Sequence, residues 1–264
     1  MLKASKDRIA AKLTLPQKRF AAEVIGTFIV VVLATGSVVI DAKFGGRLGL
    51  AFIAFAPFVD VAIGVYLFGK ISMAHFNPAV TLAFLITGHI TKLQLLHYLT
   101  AEITGALLAS LFVMSFIGTE ASLGANAPDY SYRLPLVFGI EVLATALLMA
   151  VIYLVVYTKG LRGLGGLVIG GMVGLDIFFL AFISGASMNP ARSLAPALLS
   201  GVLGSLWLYW TATFIGSSAA AFLVRKKFEL QDRGVATGRL SPYNDNDSST
   251  ALKSNCSTIL ARCR

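Results

Sequence analysis

Charge is scarce in this chain. Asp, Glu, Lys and Arg together supply 13% of its 264 residues, about half the share usual in a soluble domain, and acids are the scarcer kind, 13 against 22 basic residues. Cysteine is nearly absent: Cys256 and Cys263 both lie in the final polar stretch, where they read as reduced and cytosolic. The three histidines, His75, His89 and His97, form no ligand set with either cysteine, and no metal site is expected. No nucleophile paired with a base and no phosphate-binding loop is visible. These absences argue against an enzyme: no catalytic residue and no cofactor is expected.

What the chain has in abundance is apolar length: 56% of its residues are hydrophobic and its mean hydropathy is +0.78. Six segments are long enough to cross a bilayer, Phe20–Ile40, Leu48–Phe68, Leu93–Phe116, Leu134–Tyr157, Leu164–Ile183 and Leu206–Val224. Between the second and third, and again between the fifth and sixth, stands the triplet Asn-Pro-Ala, at Asn77-Pro78-Ala79 and Asn189-Pro190-Ala191. Asn is a favoured N-cap and Pro a favoured first helical residue, so each triplet reads as a helix start. The apolar stretches that follow, Ala79–Ile86 and Ser193–Leu199, reach about halfway across at ~1.5 Å per residue. Two half-spanning helices, one in each half of the chain, imply a pore.

Basic residues set the expected orientation. Lys3, Lys6, Arg8, Lys12, Lys18 and Arg19 precede the first span, Lys159 and Arg162 join the fourth to the fifth, and Arg225, Lys226 and Lys227 follow the sixth. Placing these inside puts both termini in the cytoplasm. The net charge of +9 then sits mostly against anionic lipid headgroups, and nucleic acid is not an expected partner. The expected layout is a cytoplasmic segment 1–19, a channel domain 20–224 with repeats at about 20–116 and 134–224, and a cytoplasmic polar tail 225–264. The Asn-X-Ser matches at Asn246 and Asn255 fall in that tail and should carry no glycan.

The two halves echo each other. Glu23-Val24-Ile25-Gly26-Thr27 is matched by Glu141-Val142-Leu143-Ala144-Thr145, and with three spans per half the second copy must be inverted. Segments 72–81 (Ser-Met-Ala-His-Phe-Asn-Pro-Ala-Val-Thr) and 184–193 (Ser-Gly-Ala-Ser-Met-Asn-Pro-Ala-Arg-Ser) resemble the two signatures of the aquaporin, or major intrinsic protein, family, with the likeness extending from about Phe20 to Val224. Two triplets, each after an apolar span, with Arg only after the second, make the likeness specific.

The resemblance implies an all-α membrane fold of six tilted helices plus two re-entrant half-helices, with four such pores in a homotetramer in the cell (plasma) membrane. It implies a passive water channel that excludes protons and ions and also passes small neutral solutes. The family's outer constriction would fall on Arg192, Ile177, Ala186 and Pro57, although a proline kink could place Phe58 there instead. Ile177 and Ala186 replace the His and Cys common in water-selective members, which widens the filter. Ser193, Ala197, Tyr209 and Trp210, in contrast, match water channels at class-discriminating positions. Glu23 and Glu141 would support the half-helix loops, His75 would stand at the cytoplasmic vestibule, and Glu102 replaces a common Gln. Asp60 and Asp176 are further acids within apolar spans, to be read as functional until a partner is found.

The alternatives are a glycerol or small-solute facilitator, a proton-coupled transporter using the buried acids, and an adhesive membrane scaffold. A transporter would show saturation and dependence on a proton gradient.

Overall fold

The computed structural model describes residues 13–236. The cysteines, Asn246, Asn255 and the first basic residues lie outside that range. Six helices are long and apolar enough to span a membrane. The first runs Leu15–Lys43, the second Gly49–Ser72, the third Lys92–Phe112 with a π-helical turn at Val113–Ile117, and the fourth Leu134–Tyr157. A 3-10 segment, Lys159–Leu164, leads into the fifth, Gly165–Ser184, and the sixth is Leu206–Ala236. Two short helices, Pro78–Ile86 and Pro190–Ser200, interrupt the series where the Asn-Pro-Ala triplets stand. No strand occurs among the described residues.

The ends differ from the hydropathy reading in an instructive way. Thr14 and Gln17 close a capping box before the first span, so the helix begins five residues ahead of its apolar part. The sixth helix likewise continues past Val224 through Arg225, Lys226 and Lys227 into the segment read as tail. Hydropathy marks the portion that needs lipid, whereas helix propensity carries the backbone on into charged residues whose long stems tolerate the interface.

Helix pairing repeats between the halves. The first span packs on the third, the fourth on the sixth, and the second crosses the fifth. Small residues allow all three of these contacts. A Cβ on Gly105 would strike the Val24 carbonyl of the first span, and one on Gly216 would strike the Val142 carbonyl of the fourth. Val24 and Val142 occupy matching places in the repeated pentapeptide, so one crossing is built twice. The second–fifth crossing uses Gly166, Gly170 and Gly174, each against the backbone of residues 54–62.

The half-helices are held inside this frame. The first packs against the third and sixth spans, the second against the third and the sixth. The outer surface of the helices carries large exposed apolar groups, among them Phe55, Leu67, Phe116, Phe179 and Leu223, the kind of surface that marks a membrane or protein contact.

Candidate functional site

The segment before each half-helix follows one plan, beginning with a left-handed residue that ends the preceding span. Met73 (φ 67°) does this after the second span and Gly185 (φ 87°) after the fifth. Ala74 and Ala186, then Phe76 and Met188, also have positive φ, an unusual density of strained non-glycine backbone. Such strain persists only where side chains over-determine it. Ser72 Oγ accepts from Ala74 N at 3.2 Å and Ser184 Oγ from Ala186 N at 3.1 Å. Tyr98 donates its hydroxyl to Ser72 O at 2.7 Å, and Tyr209 donates to Ser184 O at 2.6 Å.

Two buried carboxyls hold the inner part of each segment. Glu23 accepts from His75 N at 3.1 Å and Phe76 N at 2.7 Å. Glu141 accepts from Ser187 N at 3.0 Å and Met188 N at 3.3 Å. Both glutamates are fully buried, so these bonds replace water for groups that would otherwise be orphaned.

The triplets then start their helices as Asn-Pro should. Asn77 Oδ1 accepts from Ala79 N at 2.9 Å, and Asn189 Oδ1 accepts from Ala191 N at 3.0 Å and Arg192 N at 3.3 Å. Each asparagine also reaches across. Asn77 Nδ2 donates to Met188 O at 2.8 Å and Asn189 Nδ2 donates to Phe76 O at 2.9 Å, so the two helix starts are tied tip to tip. One hydrogen of each amide is committed to this tie. The other remains for whatever occupies the space between them.

That space is a cavity of about 460 Å³. Asn77, Asn189, Arg192, Pro57, Ile177 and Ala186 all line it, and so does His75. Phe58 does not. It lies against Gly170 and Gly174 at the crossing with the fifth span, so of the two second-span residues it is Pro57 that faces the cavity. The remaining wall is mostly apolar, with Val61, Val65, Val80, Ile152 and Ile169 among its residues. Asp60 and Asp176 are buried beside the lining residues and do not belong to them, and neither carboxyl oxygen of Asp60 finds a hydrogen-bond partner among the described residues. No cluster of metal-ligating side chains occurs among the described residues.

Three contacts were not legible from the motifs. Glu102 Oε1 accepts from Asn77 N at 3.2 Å and Thr81 Oγ1 at 2.5 Å, which places this third-span acid against the first triplet. His75 Nδ1 meets the same Thr81 hydroxyl at 2.9 Å, with its ring stacked on Phe84. Asn126, from the connection between the third and fourth spans, hydrogen-bonds the Arg192 guanidinium. Further along that connection Asp129 is fully exposed, and the Ser131 backbone N–H holds its carboxyl below the usual range, so it stays anionic at neutral pH.

Six spans, two half-helices meeting tip to tip and a largely apolar cavity lined beside the triplets by two asparagine amides and the Arg192 guanidinium define a membrane channel. The description "Major intrinsic protein" fits residues 10–224, and the chain belongs to that family. It is 37% identical over 207 residues to Aquaporin NIP1-1 of Zea mays, covering 78% of this chain and 73% of that protein. It is 36% identical over 214 residues to the Glycerol uptake facilitator protein-like 6 of Lactiplantibacillus plantarum, covering 79% and 97%. Its fold matches the aquaglyceroporin of Plasmodium falciparum with a TM-score of 0.68 at 22% identity, over 79% of this chain and 95% of that one. The protein is therefore a multi-pass integral membrane channel for water or small neutral solutes, and not an enzyme.

Proposed function

We propose that the chain is a passive water channel whose outer filter also admits small uncharged solutes. The observation that carries this is the composition of the cavity wall around the triplets: the Arg192 guanidinium, two asparagine amides and a filter otherwise made of Pro57, Ile177 and Ala186. Water at the centre accepts from the free hydrogens of Asn77 and Asn189. Its own hydrogens then point away along the pore, toward neighbours above and below, and the chain of donors a migrating proton requires is broken there. The positive ends of both half-helices meet at the same level and Arg192 adds a full charge, so cations face a barrier from either side, a recognised device of water pores.

Arg192 with Ile177, Ala186 and Pro57 forms the outer constriction in this reading. Glu23 and Glu141 act as loop supports and His75 stands at the cytoplasmic vestibule. The absence of an imidazole at Ile177 removes one donor and leaves an apolar wall that suits the carbon side of a polyol. Similarity to a named glycerol facilitator favours the same breadth. Both termini lie in the cytoplasm of a plasma-membrane protein, and four copies assemble around a common axis, each with its own pore and its exposed apolar face in lipid or against a neighbour.

Stopped-flow light scattering of liposomes under an inward glycerol gradient tests the proposal. Fast shrinkage followed by recovery faster than in empty vesicles is the expected result. Fast shrinkage with control-like recovery would restrict the pore to water, and shrinkage no faster than in empty vesicles would refute a water channel.

A further inference from the structure

Asn126 is a buried amide whose three hydrogen bonds all converge on one place. It sits in an irregular connection, yet its residue is 6% exposed. Oδ1 accepts from the Arg192 guanidinium and from Ser193 Oγ, the latter at 2.9 Å. Nδ2 donates to Gly185 O at 3.0 Å. Gly185 directly precedes Ala186, so a single carboxamide links the Arg192 guanidinium to the backbone beside Ala186.

We infer that Asn126 is the positioning residue of the outer constriction: its amide fixes the Arg192 guanidinium relative to Ala186 and so sets the solute cutoff and cation exclusion of the pore. The inference rests on Arg192 being the filter cation. Arginine reaches its place through a long flexible stem, and only an acceptor at the far end fixes where the charge stands. Among the described residues, that acceptor is Asn126 Oδ1. The amide cannot be turned over. Its NH₂ would then face the guanidinium, which has no acceptor, and its oxygen would face the Gly185 carbonyl. The chemistry also requires a neutral group. An aspartate would keep the acceptor for Arg192, but it would cancel the field of the guanidinium and set oxygen against oxygen at Gly185.

The test compares wild type, Asn126→Ala, Arg192→Ala and the double variant in liposomes, reading the glycerol-to-water permeability ratio and the sodium flux at neutral pH. Asn126→Ala should raise the ratio in the same direction as Arg192→Ala, by about tenfold, the scale of one lost hydrogen bond to a charged group. The double variant should equal Arg192→Ala, because without the guanidinium there is nothing left to position. Asn126→Asp, nearly identical in shape, should raise sodium flux by about tenfold, and it carries the test if the alanine variant does not assemble. A wild-type ratio in assembled Asn126→Ala, or a double variant showing the product of the two single effects, would overturn the inference while leaving the filter intact. No effect of Arg192→Ala on either readout would remove the filter reading, and this inference with it.

Discussion

The segment entering the first half-helix and the segment entering the second make the same turns with different side chains. Both have three positive-φ positions, a serine and a tyrosine holding the exit of the preceding span, a buried glutamate accepting backbone N–H groups, and an asparagine that caps its own helix and reaches to the other. The fillers differ. In the first repeat, Phe76 fills the space between the first and second spans, where its ring lies against Gly26 and Gly64. In the second, Met188 follows the same path and the position matching Gly26 is Ala144. Backbone geometry is thus the repeated element, while side-chain volume is traded locally to keep it. The second half-helix start also carries Arg192, held by Asn126 of the connection between the repeats, whereas the first carries Thr81, held by His75 and Glu102.

The largest expected effect breaks the common part. Glu23→Ala and Glu141→Ala each abandon two buried N–H groups at about 2 kcal/mol apiece, so assembled protein should be lost or melt far earlier in detergent. The glutamine variants should then separate the repeats. Glu23 uses Oε1 for His75 N and Oε2 for Phe76 N, but Glu141 Oε2 accepts from both Ser187 N, at 3.1 Å, and Met188 N. A single amide oxygen in the Oε2 place can still accept both bonds of the second arrangement, with its NH₂ turned aside from Ser187 N, 3.0 Å from the Oε1 place, and no single oxygen can do so in the first. Thermal unfolding monitored by circular dichroism should therefore place Glu23→Gln about 2 kcal/mol below Glu141→Gln. Equal values would show that the two supports are interchangeable.

The next effect concerns volume. Gly26→Ala pushes a methyl group into the Phe76 ring and should cost about 2 kcal/mol. The reverse change at the matching position, Ala144→Gly, creates no clash and should cost about 1 kcal/mol through helix propensity. If truncating Phe76 to Leu in the Gly26→Ala background restores thermal stability, the ring is the obstacle. A failure to restore it would move the strain elsewhere.

Much of this frame could be read before any coordinates. The fourth span, Leu134–Tyr157, has the boundaries hydropathy implies, because Arg133 and Thr158 bracket it with polar residues. The half-helix starts were visible because Asn and Pro have positional chemistry that does not depend on the rest of the fold. Repeat symmetry was visible in the glutamate pentapeptides. Which of Pro57 and Phe58 faces the cavity was not, since neighbouring residues differ by about a third of a helical turn and a proline disturbs the phase. Asn126 was invisible for a different reason. It lies where no periodicity operates, and its three bonds are made to residues 59 or more positions away. The π-turn at Val113–Ile117 and the left-handed turn at Ala121–Leu123 carry no composition that would announce them.

A smaller effect sharpens the contrast between the two sides of the filter. The second repeat supplies Ile177, Ala186 and Arg192, and the first supplies Pro57. Restoring polarity and bulk on the second-repeat side by Ile177→His should slow glycerol several-fold in the light-scattering assay while water permeability changes less. Ala186→Cys should make water flow sensitive to mercury, which wild type lacks in this reading. Glycerol flux unchanged by Ile177→His would move the cutoff to another level of the pore.

The smallest effect falls on Glu102, where the repeats diverge most. Both of its hydrogen bonds, from Asn77 N and Thr81 Oγ1, end on Oε1, and Oε2 has no partner among the described residues. A glutamine with its oxygen in the Oε1 place keeps both bonds and puts an amide nitrogen where nothing is lost. Glu102→Gln should therefore stay within about 0.5 kcal/mol of wild type in thermal unfolding and keep its water permeability. Glu102→Leu, of similar bulk, removes the acceptor and leaves Asn77 N unpaired beside the cavity, a cost of about 2 kcal/mol. The corresponding place in the second repeat is Thr213, four residues after Tyr209 as Glu102 is four after Tyr98, and its hydroxyl bonds back to Tyr209 O at 2.6 Å within its own helix. It supports no triplet, so Thr213→Val should cost no more than about 1 kcal/mol. If Thr213→Val instead matched Glu102→Leu, the two positions would be equivalent supports, and the asymmetry between the repeats would lie in the fillers Phe76 and Met188 and in the residues around Arg192 and His75.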